Sequence, residues 1–77
     1  MPSIDALKEG ENAHIETVTG SAGFINRAAA MGITSGVRVT SVQNQGRLPL
    51  LLHLRNSMVA LDRKDAQRIL IHDNHTL

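Results

Sequence analysis

The chain has 77 residues and weighs 8.3 kDa, with 42% apolar and 19% charged residues. That describes one small globular domain and excludes architectures built around a deep cleft between lobes. Eight Lys/Arg against seven Asp/Glu and a net charge of +1 give no strong nucleic-acid or anionic-membrane footprint; with no Cys, Trp or Tyr and one Phe, disulfides, thiolate chemistry, Cys-type zinc sites and base-stacking platforms are excluded as well.

From the N-terminus, Ser3 offers a polar cap, Ile4 and Leu7 two apolar anchors and Gly10 a stop, which predicts a helical turn near residues 4–9 that plugs one end of the core. Ile15, Thr17, Val18 and Thr19 are β-branched, so 12–19 reads as a strand ended by Gly20. Its alternation is imperfect: Ala13, Ile15 and Thr17 share one side and Val18 takes the other, which a bulge or sharp bend would reconcile.

Ser21 to Met31 carries the clearest helical spacing. Phe24, Ala28 and Met31 recur at steps of four and three, with Ile25 and Ala29 on a neighbouring stripe, Ala28-Ala29-Ala30 favouring helix, and Gly32 placed to stop it. A short helix over about 22–31 is expected. After the turn 33–36, a second strand runs over 37–42 with Val37 and Val39 inward, followed by a polar hairpin loop at 43–47 that contains Gly46.

Leu48, Leu50, Leu52 and Leu54 would line one face of a third strand that Pro49 restricts to entry from an edge. A tight turn at Asn56-Ser57 leads into a fourth strand, Met58 to Leu61. Asp62 is placed as an N-cap with Asp65 in the first turn, predicting a short helical turn near 63–67. Ile69-Leu70-Ile71 closes as a fifth strand, and 72–77 reads as a flexible tail. The whole is expected as one domain over 1–77, without repeats. Five short strands joined largely by hairpins bury their faces best as a small closed or half-open barrel.

Met1 to Asp5 lacks the basic-then-apolar pattern of a signal peptide. The central run Leu48 to Leu52 is far shorter than the roughly 20 apolar residues of a membrane helix. A cytoplasmic protein that does not insert in the membrane is therefore expected. There is no Gly-x-Ser-x-Gly elbow, no Walker A and no dinucleotide fingerprint, and no enzyme is expected.

Two blocks carry a family resemblance. Arg27-Ala28-Ala29-Ala30-Met31-Gly32-Ile33-Thr34-Ser35-Gly36-Val37-Arg38-Val39 resembles a helix-Gly-turn-Gly-strand pattern, and Met58 to Ile69, with Ala60-Leu61 and Asp65-Ala66, resembles its ending. In this order and spacing they are similar to the bacterial ferrous iron transport protein A (FeoA) family over about 4–71. The triple alanine after Arg27 departs from the larger apolar and acidic residues usual there, which makes the helix flatter and less charged.

The resemblance implies a mainly β fold, a five-stranded SH3-like β-barrel with one short helix. It also implies a cytoplasmic accessory of ferrous iron uptake, positioned at the inner face of the membrane by its partner, the ferrous iron permease with a cytoplasmic GTPase domain. Such a protein acts by binding, without a cofactor. The alternative is a generic small-barrel adaptor, similar to the C-terminal domain of diphtheria-toxin-repressor-type metalloregulators, that binds a regulator or weakly a metal ion; the chain has no helix-turn-helix pattern of its own.

The contact surface expected is the helix and its following turn, through Asn26, Arg27, Ala30 and Met31, with the hairpin tip at Asn44, Gly46 and Arg47. Arg38, Arg47, Arg55, Arg63 and Lys64 can form a basic patch if hairpin ends and the Asp62 turn are neighbours; without aromatics it suits an acidic protein surface better than RNA, and nucleic acid is not expected as a partner. An incompletely closed barrel leaves an edge strand for weak homo-oligomer formation. Of the four histidines, His72 and His75 have a spacing compatible with chelation, but no second ligand cluster joins them, so no metal site is expected.

Overall fold

A computed structural model describes residues 2–72. The first element, η1, is a single 3-10 turn at Ile4–Ala6 that buries Ile4. It is shorter than the 4–9 read from sequence because Leu7 is already extended, and Lys8 to Glu11 close a separate turn through Glu11 N to Lys8 O, at 2.9 Å.

Strand β1, Asn12–Val18, is shared between two partners. Its first half runs antiparallel to β2, Arg38–Gln43, with Ala13 opposite Val39; its second half runs antiparallel to β5, Ile69–Ile71, with Ile15 opposite Ile71. The register shifts between Ile15 and Thr17, and the irregularity brings Val18 back against the core. The broken alternation in the sequence is this bulge.

β2 pairs with β3, Leu50–Leu54, and β3 with β4, Ser57–Leu61, so the sheet order is β4-β3-β2-β1-β5. β4 and β5 form the two ends of a half-open barrel, joined in sequence through α2, Arg63–Ala66. The carboxylate of Asp62 caps α2 by accepting from Asp65 N at 2.8 Å. The outer edge of β5 is covered by the N-terminal segment, with Ser3 bridging Leu70 and Ile71 N donating to Pro2 O at 2.9 Å.

Inside lie Ile4, Ile15, Phe24, Ile33, Val39, Leu50, Leu52, Leu54 and Ile69, all nearly inaccessible to solvent. Leu48 does not join the inward leucine row: it is half exposed, in a turn closed by Leu48 N to Gln45 O at 3.0 Å. Pro49 has no N–H to donate, and pairing begins only at Leu50. The next turn falls one residue earlier than expected, at Arg55-Asn56, where both residues have positive φ (49° and 66°). A two-residue hairpin of this kind needs two left-handed residues to match the strand twist, which puts Ser57 into β4 opposite Leu54.

Helix α1 covers Ala22–Ala30. The hydroxyl of Ser21 accepts from Phe24 N at 3.1 Å, and Gly32, with φ of 88°, turns the chain out of the helix. Only Phe24 and Ala28 enter the core. Met31, expected to continue their stripe, is the C-cap and 40% exposed, because the chain leaves helical geometry there and turns toward buried Ile33.

Candidate functional site

Because α1 inserts only two side chains, it stands out from the barrel with Asn26, Arg27, Ala30 and Met31 all exposed. The Arg27 guanidinium lies 5.9 Å and that of Arg68 5.4 Å from the centroid of the Phe24 ring. These cation–π contacts steady the helix against the barrel. Ile25, 37% exposed, adds an apolar surface on the same helix.

The hairpin tip is held by Asn44. Its Nδ2 donates to Asp5 O at 2.9 Å and Leu7 O at 2.6 Å, its Oδ1 accepts from Arg63, and its backbone N–H donates to Glu9 Oε2 at 2.8 Å. Both polar atoms of the side chain are therefore engaged within the protein, and Asn44 shapes the tip on which Gly46 and Arg47 are exposed. Gly46 has φ of 51°, as the reversal requires. Arg63 also donates from Nε to Leu48 O at 2.9 Å, tying α2 to the same loop.

Helix and tip do not form one patch. α1 returns to the barrel at Gly32, where an added Cβ would sit 3.5 Å from Leu54 Cδ1. Leu54 ends β3 at the side away from the tip, so the two regions lie at opposite ends of the β2–β3 hairpin, separated by about 17–20 Å for strands of this length. The basic patch divides in the same way. Arg63 is at the tip, whereas Arg38 and Arg55 lie at the other end and line one groove with Gly36, Val37, Thr40, His53 and Leu54. Sequence spacing alone suggests a single cluster; the register of the hairpin separates it.

Among the described residues no group of three or more His, Asp or Glu side chains is placed to hold a metal ion. His72 Nδ1 lies 2.6 Å from Glu16 Oε1, so this imidazole is engaged with β1. His75 lies outside the described residues. His14 and His53 are exposed on the outer face of the sheet. The arrangement offers binding surfaces, in the form of a protruding helix, a braced loop tip and a basic groove.

A family model for the FeoA domain matches residues 3–73. The chain belongs to the FeoA domain family. It is 29% identical over 73 residues to a protein of Methanocaldococcus jannaschii named as a putative Fe(2+) transport protein A, covering 95% of this chain and 88% of that one. Among solved structures it is similar to FeoA of Stenotrophomonas maltophilia complexed with zinc and described as a prokaryotic SH3 domain protein, with a TM-score of 0.82, 22% identity, and coverage of 94% of this chain and 91% of that one. A manganese-dependent transcriptional repressor matches with a TM-score of 0.81 and 15% identity, over 90% of this chain and 39% of its own. The FeoA fold is thus the SH3-like barrel expected from the two sequence blocks, and the same fold recurs in part of a larger metal-dependent regulator.

Proposed function

We propose that this FeoA-family protein is a cytoplasmic accessory of ferrous iron uptake that works at the inner face of the membrane by binding the ferrous iron permease with a cytoplasmic GTPase domain. The observation that carries this reading is the family match over residues 3–73, which takes in nearly all of the described barrel. Its relative in M. jannaschii bears the name of an Fe(2+) transport protein. Among the described residues no helix is long and apolar enough to cross a membrane, so a transport role falls to a partner. The protein acts by contact, without a reaction, cofactor or nucleic acid of its own. Asn26, Arg27, Ala30 and Met31 on α1 form one contact region, and Gly46 and Arg47, on the loop braced by Asn44, form a second.

A pull-down of the tagged protein from membranes of iron-starved cells, read by mass spectrometry, tests the reading. Recovery of the GTPase permease is expected, and its absence from repeated captures overturns the proposal. Charge reversal at Arg27 and at Arg47 tests the two contact regions; undiminished recovery with both variants removes them. The repressor likeness favours a second reading, in which the chain is a free-standing counterpart of a metalloregulator's barrel domain. It predicts capture of a transcription regulator in place of the permease. Weak self-association through the outer edge of β4 is compatible with either.

A further inference from the structure

The groove at the end of the β2–β3 hairpin away from its tip is built from charges that no described residue neutralises. Thr40 is directly opposite His53, with Arg38 two residues before Thr40 on β2 and Arg55 two residues after His53, in the turn that follows β3. Both line one open groove, over a floor that includes the buried Val37 and Leu54. On the next strand His14 is opposite Arg38, and Asn12 is opposite Thr40. His53 is opposite Met58, which is 54% exposed. Among the described residues no Asp or Glu lines this groove, and neither Arg38 nor Arg55 takes part in an ion pair or side-chain hydrogen bond.

Two features of this arrangement are unfavourable for the barrel alone. Two like charges that line one groove, as Arg38 and Arg55 do, repel each other. Arg55 also occupies a left-handed position, φ 49°, in a turn that prefers Asn, Asp or Gly. A residue that is locally costly and leaves a charge exposed beside another is the kind of outlier from which a binding role is inferred.

We propose that Arg38 and Arg55, with Thr40 and His53 between them, bind an acidic segment of a partner protein lying along the β2–β3 hairpin. Guanidinium groups grip carboxylates by paired N–H donors, and an anion between the two arginines removes their mutual repulsion. Thr40 and His53 supply further polar contacts, while Met58 offers an apolar neighbour to a peptide side chain. The N–H groups of Gly36 and Val37 in the groove are already donated to Ile15 O and Thr34 O, which leaves them unable to cradle a phosphate, and with the exposed thioether of Met58 alongside, the open strip fits a peptide bearing carboxylates better than an isolated phosphate. Such a site serves any partner with a suitable run of Asp or Glu, and it does not depend on the permease reading.

The test is a titration of the 15N-labelled protein at low ionic strength with a capped Glu-Val-Glu-Val-Glu peptide, followed by amide chemical shifts. Expected is saturable binding with shifts centred on Gly36, Arg38, Thr40, His53 and Arg55, weakened by about tenfold or more in the R38Q/R55Q variant and left within about twofold in K8Q/K64Q, which removes the same charge from exposed positions with no assigned contact. Both groove arginines are exposed, so an unchanged spectrum elsewhere will show that the variant is folded. Independently of any variant, the wild-type shifts should collapse in about 0.5 M salt, where charges are screened over a few ångströms. Equal weakening in both double variants, shifts centred on Arg47 or Lys64, persistence in high salt, absence of saturable binding, or the same shifts from inorganic phosphate at matched charge would each overturn the proposal.

Discussion

Asn44 Nδ2 lies 2.6 Å from the carbonyl oxygen of Leu7, a hydrogen bond that spans 37 positions of sequence. Through it the β2–β3 loop holds the segment that plugs the end of the barrel, and the Oδ1 contact from Arg63 adds the short helix between β4 and β5 to the same knot. Three separate parts of the chain thus meet on one amide. Asn44→Ala removes all these bonds and leaves two backbone carbonyls short of a donor, so a loss of about 2–3 kcal/mol in unfolding free energy is expected. Urea denaturation measures it; a loss below about 0.5 kcal/mol would mean that water replaces the amide without penalty.

Ser41 is 1% exposed, and its hydroxyl oxygen has no protein hydrogen-bond partner. Its backbone is fully used: Ser41 N donates to Glu11 O and Ser41 O accepts from Gly10 N, both at 2.8 Å. The hydroxyl contributes little that the strand needs. Ser41→Ala is accordingly expected to be neutral or to raise stability by up to about 1 kcal/mol. A clear drop in the denaturation midpoint would show that the hydroxyl is satisfied in solution.

The Arg55-Asn56 turn gives a prediction in which stability and binding move in opposite directions. With both residues at positive φ, R55N/N56G installs the preferences of a two-residue hairpin turn and is expected to raise stability by about 0.5–1 kcal/mol. The same change removes one wall of the basic groove. A variant with a higher melting temperature and weaker binding of the acidic peptide is the expected combination, read by calorimetry and by the amide-shift titration.

Phe24 is the sole aromatic residue, 2% exposed, and the guanidinium groups of Arg27 and Arg68 lie near its ring. Phe24→Ala empties the anchor that fixes α1 and is expected to cost about 3–5 kcal/mol. Phe24→Leu keeps most of the apolar volume but removes the π face. It should cost less, and should loosen Arg27 and Arg68, which amide and side-chain NMR of the two arginines will show as increased motion.

Much of the architecture was legible along the chain because local chemistry determines it. β-branched runs give the strands, Ser21 and Asp62 cap their helices, and Gly32 ends α1 through a conformation that favours glycine. The mismatch of Val18 with Ala13 and Ile15 already implied the β1 bulge. The two sequence blocks that resemble FeoA lie within the residues that match the family. Chain-neighbour chemistry did not decide that Leu48 and Met31 stay in solvent, nor that the hairpin turns on Arg55, since these follow from where pairing starts and where a turn can match the sheet twist. Nor does it show Asn44 joining three segments, or Arg63 parting from Arg38 and Arg55, because those outcomes depend on groups brought together from distant positions. Sequence sets which backbone conformations are favourable at each residue; burial and strand register, which are properties of the assembled barrel, determine which side chains meet.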